Sequence, residues 1–203
     1  GRSGWIGCTF GLLLISVLRY KKLLFILPLV LLLVIFLVPA IGQRFQDISL
    51  TELGEEGSDT LSGRIQYWIA AIEVFKSHPI IGVGLGIGRF KVGAYLGEYS
   101  MMIHNDYVST LLETGIIGFI IFIVWHFQWI QKLIKNYQVS SLGIQKTLSF
   151  ATLIVFSAVM VMRFTDNILL DTYDMYPLCA MIAATLSLQR IDQNQVATGE
   201  PPV

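Results

Sequence analysis

One imidazole, a run of alternating glycines and a set of arginines are the residues of this chain whose types and spacing suit chemistry. His104 precedes Asn105 and Asp106 at the start of a long apolar stretch. A helix N-terminus disfavours positive charge, so an imidazole there stays neutral. A neutral imidazole is a competent general base near pH 7. A histidine in this place is equally a polar residue closing a helix end. His78, before Pro79, and His126, toward the inner end of the same stretch, are weaker candidates. The glycines run Gly82-Val83-Gly84-Leu85-Gly86-Ile87-Gly88, and Arg89 follows. Arg89 stands where a dinucleotide fingerprint needs its third glycine, and no Gly-Lys-Ser/Thr closes a P-loop. Two readings stay open for this run. One is a flexible re-entrant turn. The other is close backbone approach to a ligand, with N–H groups and Arg89 holding a phosphate oxygen. Arg2, Arg44, Arg64, Arg89 and Arg163 complete the set. Each suits a surface ion pair, and together they suit an anionic lipid-linked substrate, because guanidinium pairs bidentately with phosphate. Asp166, Asn167, Asp171 and Asp174 cluster near the end of the chain without a recognisable ligand pattern, so no metal site is expected.

The elements that must position these groups are mostly apolar. Of 203 residues, 54% are hydrophobic and 14% charged, with zero formal net charge. Soluble domains carry roughly 25% charged residues, so the chain reads as an all-α polytopic membrane protein. Zero net charge removes the basic footprint that nucleic-acid binding requires. The two cysteines, Cys8 and Cys179, lie in apolar stretches, which argues against a disulfide scaffold. The start, Gly1-Arg2-Ser3-Gly4, enters an apolar run at once and fits neither a signal nor a transit peptide. It reads as the C-terminal part of a larger protein.

About five membrane crossings are expected, each of about 20 residues. Residues 1–39 form a two-helix hairpin (spans 5–18 and 23–38) joined by Arg19, Lys21 and Lys22. Residues 40–106 form a long extracytoplasmic loop, with seven acids and five bases between 41 and 104, containing an acidic linker, 54–63, an amphipathic helix and the glycine segment. In that helix, 64–77, Ile65, Trp68, Ile69, Ile72 and Phe75 share one face. Ser62 caps it and His78-Pro79 ends it. Tyr67 and Trp68 are expected at headgroup level. Residues 107–190 hold three further spans, 107–130, 148–162 and 176–188, and 191–203 form a polar cytoplasmic tail. Both short basic loops, 19–22 and the one with Lys132, Lys135 and Lys146, fall on one side under this alternation, which makes that side cytoplasmic. The outer mouth of the third span, with His104, then faces away from the cytoplasm.

His104-Asn105, nine residues, Gly115, two residues and Gly118 resemble the signature H-[NSQ]-x9-G-x-x-G of the bacterial O-antigen ligase and O-antigen polymerase superfamily. Arg64-Ile-Gln-Tyr-Trp68, then Pro79-Ile-Ile-Gly82-Val-Gly84-Leu-Gly86 and Phe90, look like the stretch that precedes it. Arg2-Ser3-Gly4-Trp5-x-Gly7 is similar to the segment before one of the family's transmembrane helices. The resemblance covers roughly 1–188. It implies metal-independent, inverting glycosyltransfer without a cofactor, at the outer face of the bacterial plasma (inner) membrane. The donor would be a glycan on a polyprenyl diphosphate. The acceptor would be a hydroxyl on another glycan, on lipid A core or on a protein. By this resemblance His104 is the general base. Arg2, Arg64 and Arg89 bind the diphosphate, and Gly84, Gly86, Asn105, Gly115 and Gly118 contribute to substrate binding. Charge growing on the leaving diphosphate would be offset by the arginines.

Two other readings compete. A small-anion transporter, for bicarbonate or a similar ion, would also use arginines, but transport usually needs polar groups at mid-membrane depth. The five apolar spans read as nearly free of them. A non-catalytic assembly subunit that binds polyprenyl lipid is the other alternative, and the intact His104 spacing argues mildly against it.

Overall fold

The computed structural model describes residues 2–37, 61–140, 143–170 and 172–198. Regular structure among them is all helical. In chain order it comprises α1 (Arg2–Leu18), α2 (Leu23–Leu37), α3 (Leu61–Phe75), α4 (Gly88–Leu96), α5 (Asp106–Val139), α6 (Gly143–Met162), a 3-10 turn (Ile168–Leu170) and α7 (Thr172–Thr198). The acidic linker before residue 61, Arg44 and Pro39 lie outside the described residues.

α5 and α6 are long and apolar enough to cross a membrane, and α1 is apolar but shorter. The five expected spans therefore reduce to two by length and composition. α2 is a purely apolar helix of 15 residues, and most of its described side chains are exposed, Phe25 at 84%. α7 is longer than the expected fifth span and continues through the polar residues to Thr198. Large exposed apolar side chains on α1, α2, α5 and α7 suit lipid and are costly in water.

α1 packs on α6, α6 on both α5 and α7, and α3 on α4 and α5. Small residues decide the first contact. Ser3, Gly7 and Gly11, spaced by four, form the buried stripe of α1. A Cβ on Gly7 would stand 2.5 Å from Met162 Sδ, and one on Gly11 would stand 3.5 Å from Ile154. Small residues at this spacing let helix backbones approach where lipid offers no hydrophobic drive. That contact carries the N-terminal end of α1 to the end of α6.

Leu133, Leu153, Phe156, Val159, Ile168 and Leu178 form the core of the α5–α6–α7 bundle. A second core lies between α3, α4 and the start of α5: Ala70, Ala71, Val92, Ile103 and Leu112. It corrects the expected face of α3. The buried positions are Tyr67, Ala70 and Ala71, while Ile69 and Ile72 point outward. The small alanines on the inner face pack with Val92, Ile103 and Leu112 in this core. Tyr67 is buried, and Trp68 Nε1–H donates to the Ile103 carbonyl at 2.8 Å, so both aromatics serve protein packing. The helix begins at Leu61, one residue before the expected cap Ser62.

The third expected span, 107–130, is not one rod. α5 is broken at Gly115, whose φ of 66° and ψ of −172° are non-helical. Residues 106–114 fold back along the first half of 116–139. The Tyr107 and Phe122 rings meet at 5.9 Å, and Arg163 touches both Asp106 and His126. In a straight helix the last two would be about 30 Å apart. The longer limb still gives about 36 Å of helix, enough for a bilayer.

The glycine turn holds this corner. Val83 and Gly84 N–H donate to the Leu112 and Glu113 carbonyls at 3.0 and 2.9 Å, closing the end of the short limb. Ile116 and Ile117 N–H donate to the Pro79 and Ile80 carbonyls at 2.9 and 3.4 Å, opening the long one. A broken helix exposes unpaired N–H and C=O groups at both new ends, and one turn satisfies groups on each. The backbones meet so closely that a Cβ on Gly115 would stand 2.2 Å from the Ile80 carbonyl oxygen. One on Gly82 would stand 2.4 Å from the Glu113 carbonyl.

Candidate active site

His104 lies in the turn between the second core and the short limb of α5. It is the one non-glycine residue with positive φ, 53°, among the described residues. Its N–H donates to Asn167 Oδ1 at 2.7 Å. Trp68 holds the preceding residue by the Ile103 carbonyl, and Asn105 caps the helix that follows. The Asn105 Oδ1 accepts from the Tyr107 and Val108 N–H groups at 3.0 and 3.1 Å, which contributes about 1 kcal/mol.

The imidazole meets the turn that leaves α6. Its Nδ1 is 3.5 Å from Asp166 Oδ1. Asp166 Oδ2 accepts from Ser3 Oγ at 2.9 Å, and Oδ1 accepts from the Asn167 N–H at 3.0 Å. Burial works to raise the Asp166 pKa, but the Ser3 and Asn167 hydrogen bonds and His104 outweigh it and hold it below the ordinary 3.8. The His104 Nδ1 is buried and makes no hydrogen bond among the described residues, and the Asp166 carboxylate is the charge it faces. A carboxylate in that place favours the tautomer with Nδ1–H toward it and Nε2 as the basic nitrogen. Arg64, from the first turns of α3, donates to the Thr165 carbonyl in the same turn. His104, Arg64, Ser3 and Asp166 are thus brought together from four segments. Arg2 opens α1 directly before Ser3.

Other residues singled out from the sequence sit around the corner. Arg89 is exposed on α4, its guanidinium over the Phe90 ring at 4.6 Å. Gly84 and Gly86 have positive φ, 104° and 75°, and Gly86 has open space where a Cβ would be. Gly115 is the corner itself, and a Cβ on Gly118 would stand 2.3 Å from Thr114. Gly115 and Gly118 thus have a packing account, whereas Gly84 and Gly86 are set apart by their backbone conformation alone. His78 is exposed beside Ser77.

Two expectations need correction. Arg163 is not a surface residue; it is 2% exposed, as is Asp106. His126 is not a helix-end residue; it is 1% exposed and faces the Arg163 guanidinium. Spans read as nearly free of polar groups also bury Ser16, Ser149, Thr152 and Thr185, and Asn136 and Gln145, read as part of the basic loop, are buried as well. Asp166, Asn167 and Ser3 were not assigned to the histidine by sequence. Asp166 and Asn167 stand out there only as members of a polar turn, and nothing in linear spacing connects them to a residue some sixty positions earlier. Among the described residues no three His, Cys, Asp or Glu side chains group as a metal would need.

Fold and turn together define a helical membrane protein with a histidine–carboxylate pair beside an arginine. A family model described as O-Antigen ligase matches residues 1–123. The exopolysaccharide production protein ExoQ of Rhizobium meliloti (strain 1021) is 32% identical over 132 residues, covering 57% of this chain and 29% of that protein. No solved structure matches. The chain belongs to the O-antigen ligase family, whose work is polysaccharide biosynthesis. It spans less than a third of the length of ExoQ.

Proposed function

We propose that this protein is an inverting, metal-independent glycosyltransferase of the cell envelope. It moves a glycan from a polyprenyl diphosphate to an acceptor hydroxyl on a glycan, lipid A core or protein. The observation that carries this reading is the His104–Asp166 pair, with Arg64 anchored to the same turn. The acceptor oxygen attacks the anomeric carbon while His104 Nε2 takes its proton. The bond from that carbon to the diphosphate oxygen breaks, and its electron pair leaves with the phosphate. Asp166 steadies the imidazolium that results. Arg64, joined by Arg2 and Arg89 as the family resemblance implies, offsets charge on the departing diphosphate. A diphosphate leaves readily, so no strong acid is required.

The membrane reading extends to five crossings, with α1, α2 and α7 joining α5 and α6, and the His104 turn on the extracytoplasmic side. Three positive residues and no acid between α1 and α2, and again across the end of α5 and the start of α6, support that orientation. The transporter reading gains a buried arginine, but Arg163 is engaged by Asp106, His126 and Met175.

The test is His104→Ala in the full protein, at matched membrane abundance, assayed with a polyprenyl-diphosphate glycan. A general base contributes about 10²–10⁴-fold. Transfer falls by that factor while the lipid donor still binds. Unchanged transfer overturns the reading and makes anion uptake the next assay.

A further inference from the structure

His104 is held by its backbone as well as by its ring. A left-handed conformation at a residue with a side chain persists only where the surroundings impose it. The imposing contact is the Asn167 side chain, whose Oδ1 takes the His104 N–H at 2.7 Å.

Asn167 is itself fixed from below. Its Nδ2 reaches Asp106 Oδ1 at 3.4 Å and Ser109 Oγ at 3.3 Å, both on the short limb of α5. Asp106 Oδ2 accepts from the Leu169 N–H at 2.8 Å and lies 3.7 Å from Arg163 Nε. The Asp106 N–H returns to the Arg163 carbonyl at 2.9 Å. Arg163 donates onward to His126 Nε2. His126 Nδ1 lies 2.7 Å from the Phe122 carbonyl, an acceptor, so Nδ1 carries the proton and Nε2 presents its lone pair to Arg163. The row His126–Arg163–Asp106–Asn167 therefore runs from the bundle interior to the peptide of His104, its Arg163–Asp106 step being an ion pair at 3.7 Å backed by the Asp106 N–H to Arg163 carbonyl hydrogen bond. Lone buried charges are rare unless paired, and this buried pair closes the fold-back of α5 where His104 emerges.

We propose that Asn167 is a positioning residue that sets the backbone of His104, and that the buried Asp106–Arg163–His126 row is its footing. This rests on His104 being the general base. Asn167 touches no substrate in this account; it acts by aiming the imidazole. A displacement of about 1 Å from a distant change costs about 10²-fold in rate, which sets the size of the effect.

The experiment uses the full purified protein with a polyprenyl-diphosphate glycan donor, comparing wild type, His104→Ala, Asn167→Ala, His126→Leu and His126→Gln. For Asn167→Ala, kcat falls by about 10- to 100-fold, while donor KM and melting temperature stay close to wild type. His126→Leu lowers kcat in the same way, and His126→Gln, which keeps an acceptor for Arg163, restores most of it. If Asn167→Ala does not fold, Asn167→Ser carries the test, because its shorter side chain does not reach the His104 N–H. Wild-type kcat in the Asn167 variant while His104→Ala is inactive overturns the proposal and leaves His104 as the base. A kcat that falls only in step with melting temperature, with no rescue by glutamine, assigns Asn167 a purely structural role and also overturns it. An active His104→Ala overturns the function proposed for the protein instead.

Discussion

Asp166 is the residue whose chemistry the sequence left unassigned and whose loss has the clearest consequence. Asp166→Asn keeps the shape of the side chain but removes the charge that orients Nδ1–H. A loss of about 10²-fold or more in transfer is expected, since the same replacement in a serine-protease triad costs about 10⁴. Single-turnover assays with the donor prebound measure it. Acid stability gives an independent reading. The folded pKa of Asp166 lies below the 3.8 of the ordinary carboxyl. Its contribution to stability is therefore complete above 3.8 and is lost as pH falls through the lower folded value. A melting series from pH 5 to pH 3 drops more steeply for wild type than for Asp166→Asn. His104 was legible because its type, its neighbours and the glycines behind it form a local pattern. Asp166 and Ser3 were not, because Asp166 meets it only once the end of α6 lies against the start of α5, and Ser3 joins only once α1 has packed on α6.

α5 shows where hydropathy stops being informative. Composition marks one span from Tyr107 onward, with a polar start and an apolar body, and a helix is what forms; the break depends on one backbone angle. Gly115 combines positive φ with extended ψ, a region essentially closed to other residues, and Ile80 fills the space beside it. Gly115→Ala is expected to destabilise the protein by about 3 kcal/mol or more, the sum of backbone strain and overpacking. Gly86→Ala has only the left-handed conformation to bear, about 1–2 kcal/mol, because nothing lies within 4 Å of its Cβ. Thermal-shift measurements on the two variants in detergent separate these costs. α3 teaches the same lesson in reverse. Its helical period was readable, and its end at Phe75 falls close to the expected stop at His78-Pro79, but its inner face was not, because Ile69 and Ile72 face out while Ala70 and Ala71 face in beside Tyr67. Ala71→Leu, at a fully buried position, is expected to cost about 1–3 kcal/mol, whereas Ile69→Leu should lie within about 1 kcal/mol of wild type. The same thermal-shift measurement checks both.

For the molecule as a whole, orientation is the open quantity. In a background with Cys8 and Cys179 replaced, Lys21→Cys and Lys146→Cys are expected to react with an impermeant maleimide only after the membrane is opened. Glu98→Cys, between α4 and the His104 turn, is expected to react in intact cells. Labelling of all three from outside would sink the proposed topology. Helical class and membrane character were legible from composition. Family kinship was legible in the His104 signature, which falls within the matched residues. The buried polar row was not legible, since each member looks like an ordinary surface residue until the bundle closes over it. The stitched corner has one more consequence, for the order in which the protein opens. The amides of Val83, Gly84, Ile116 and Ile117 come from segments about thirty positions apart but share one set of cross-braces. Freeing either segment strips partners from the other. Their hydrogen exchange is therefore expected to begin together, as one opening unit.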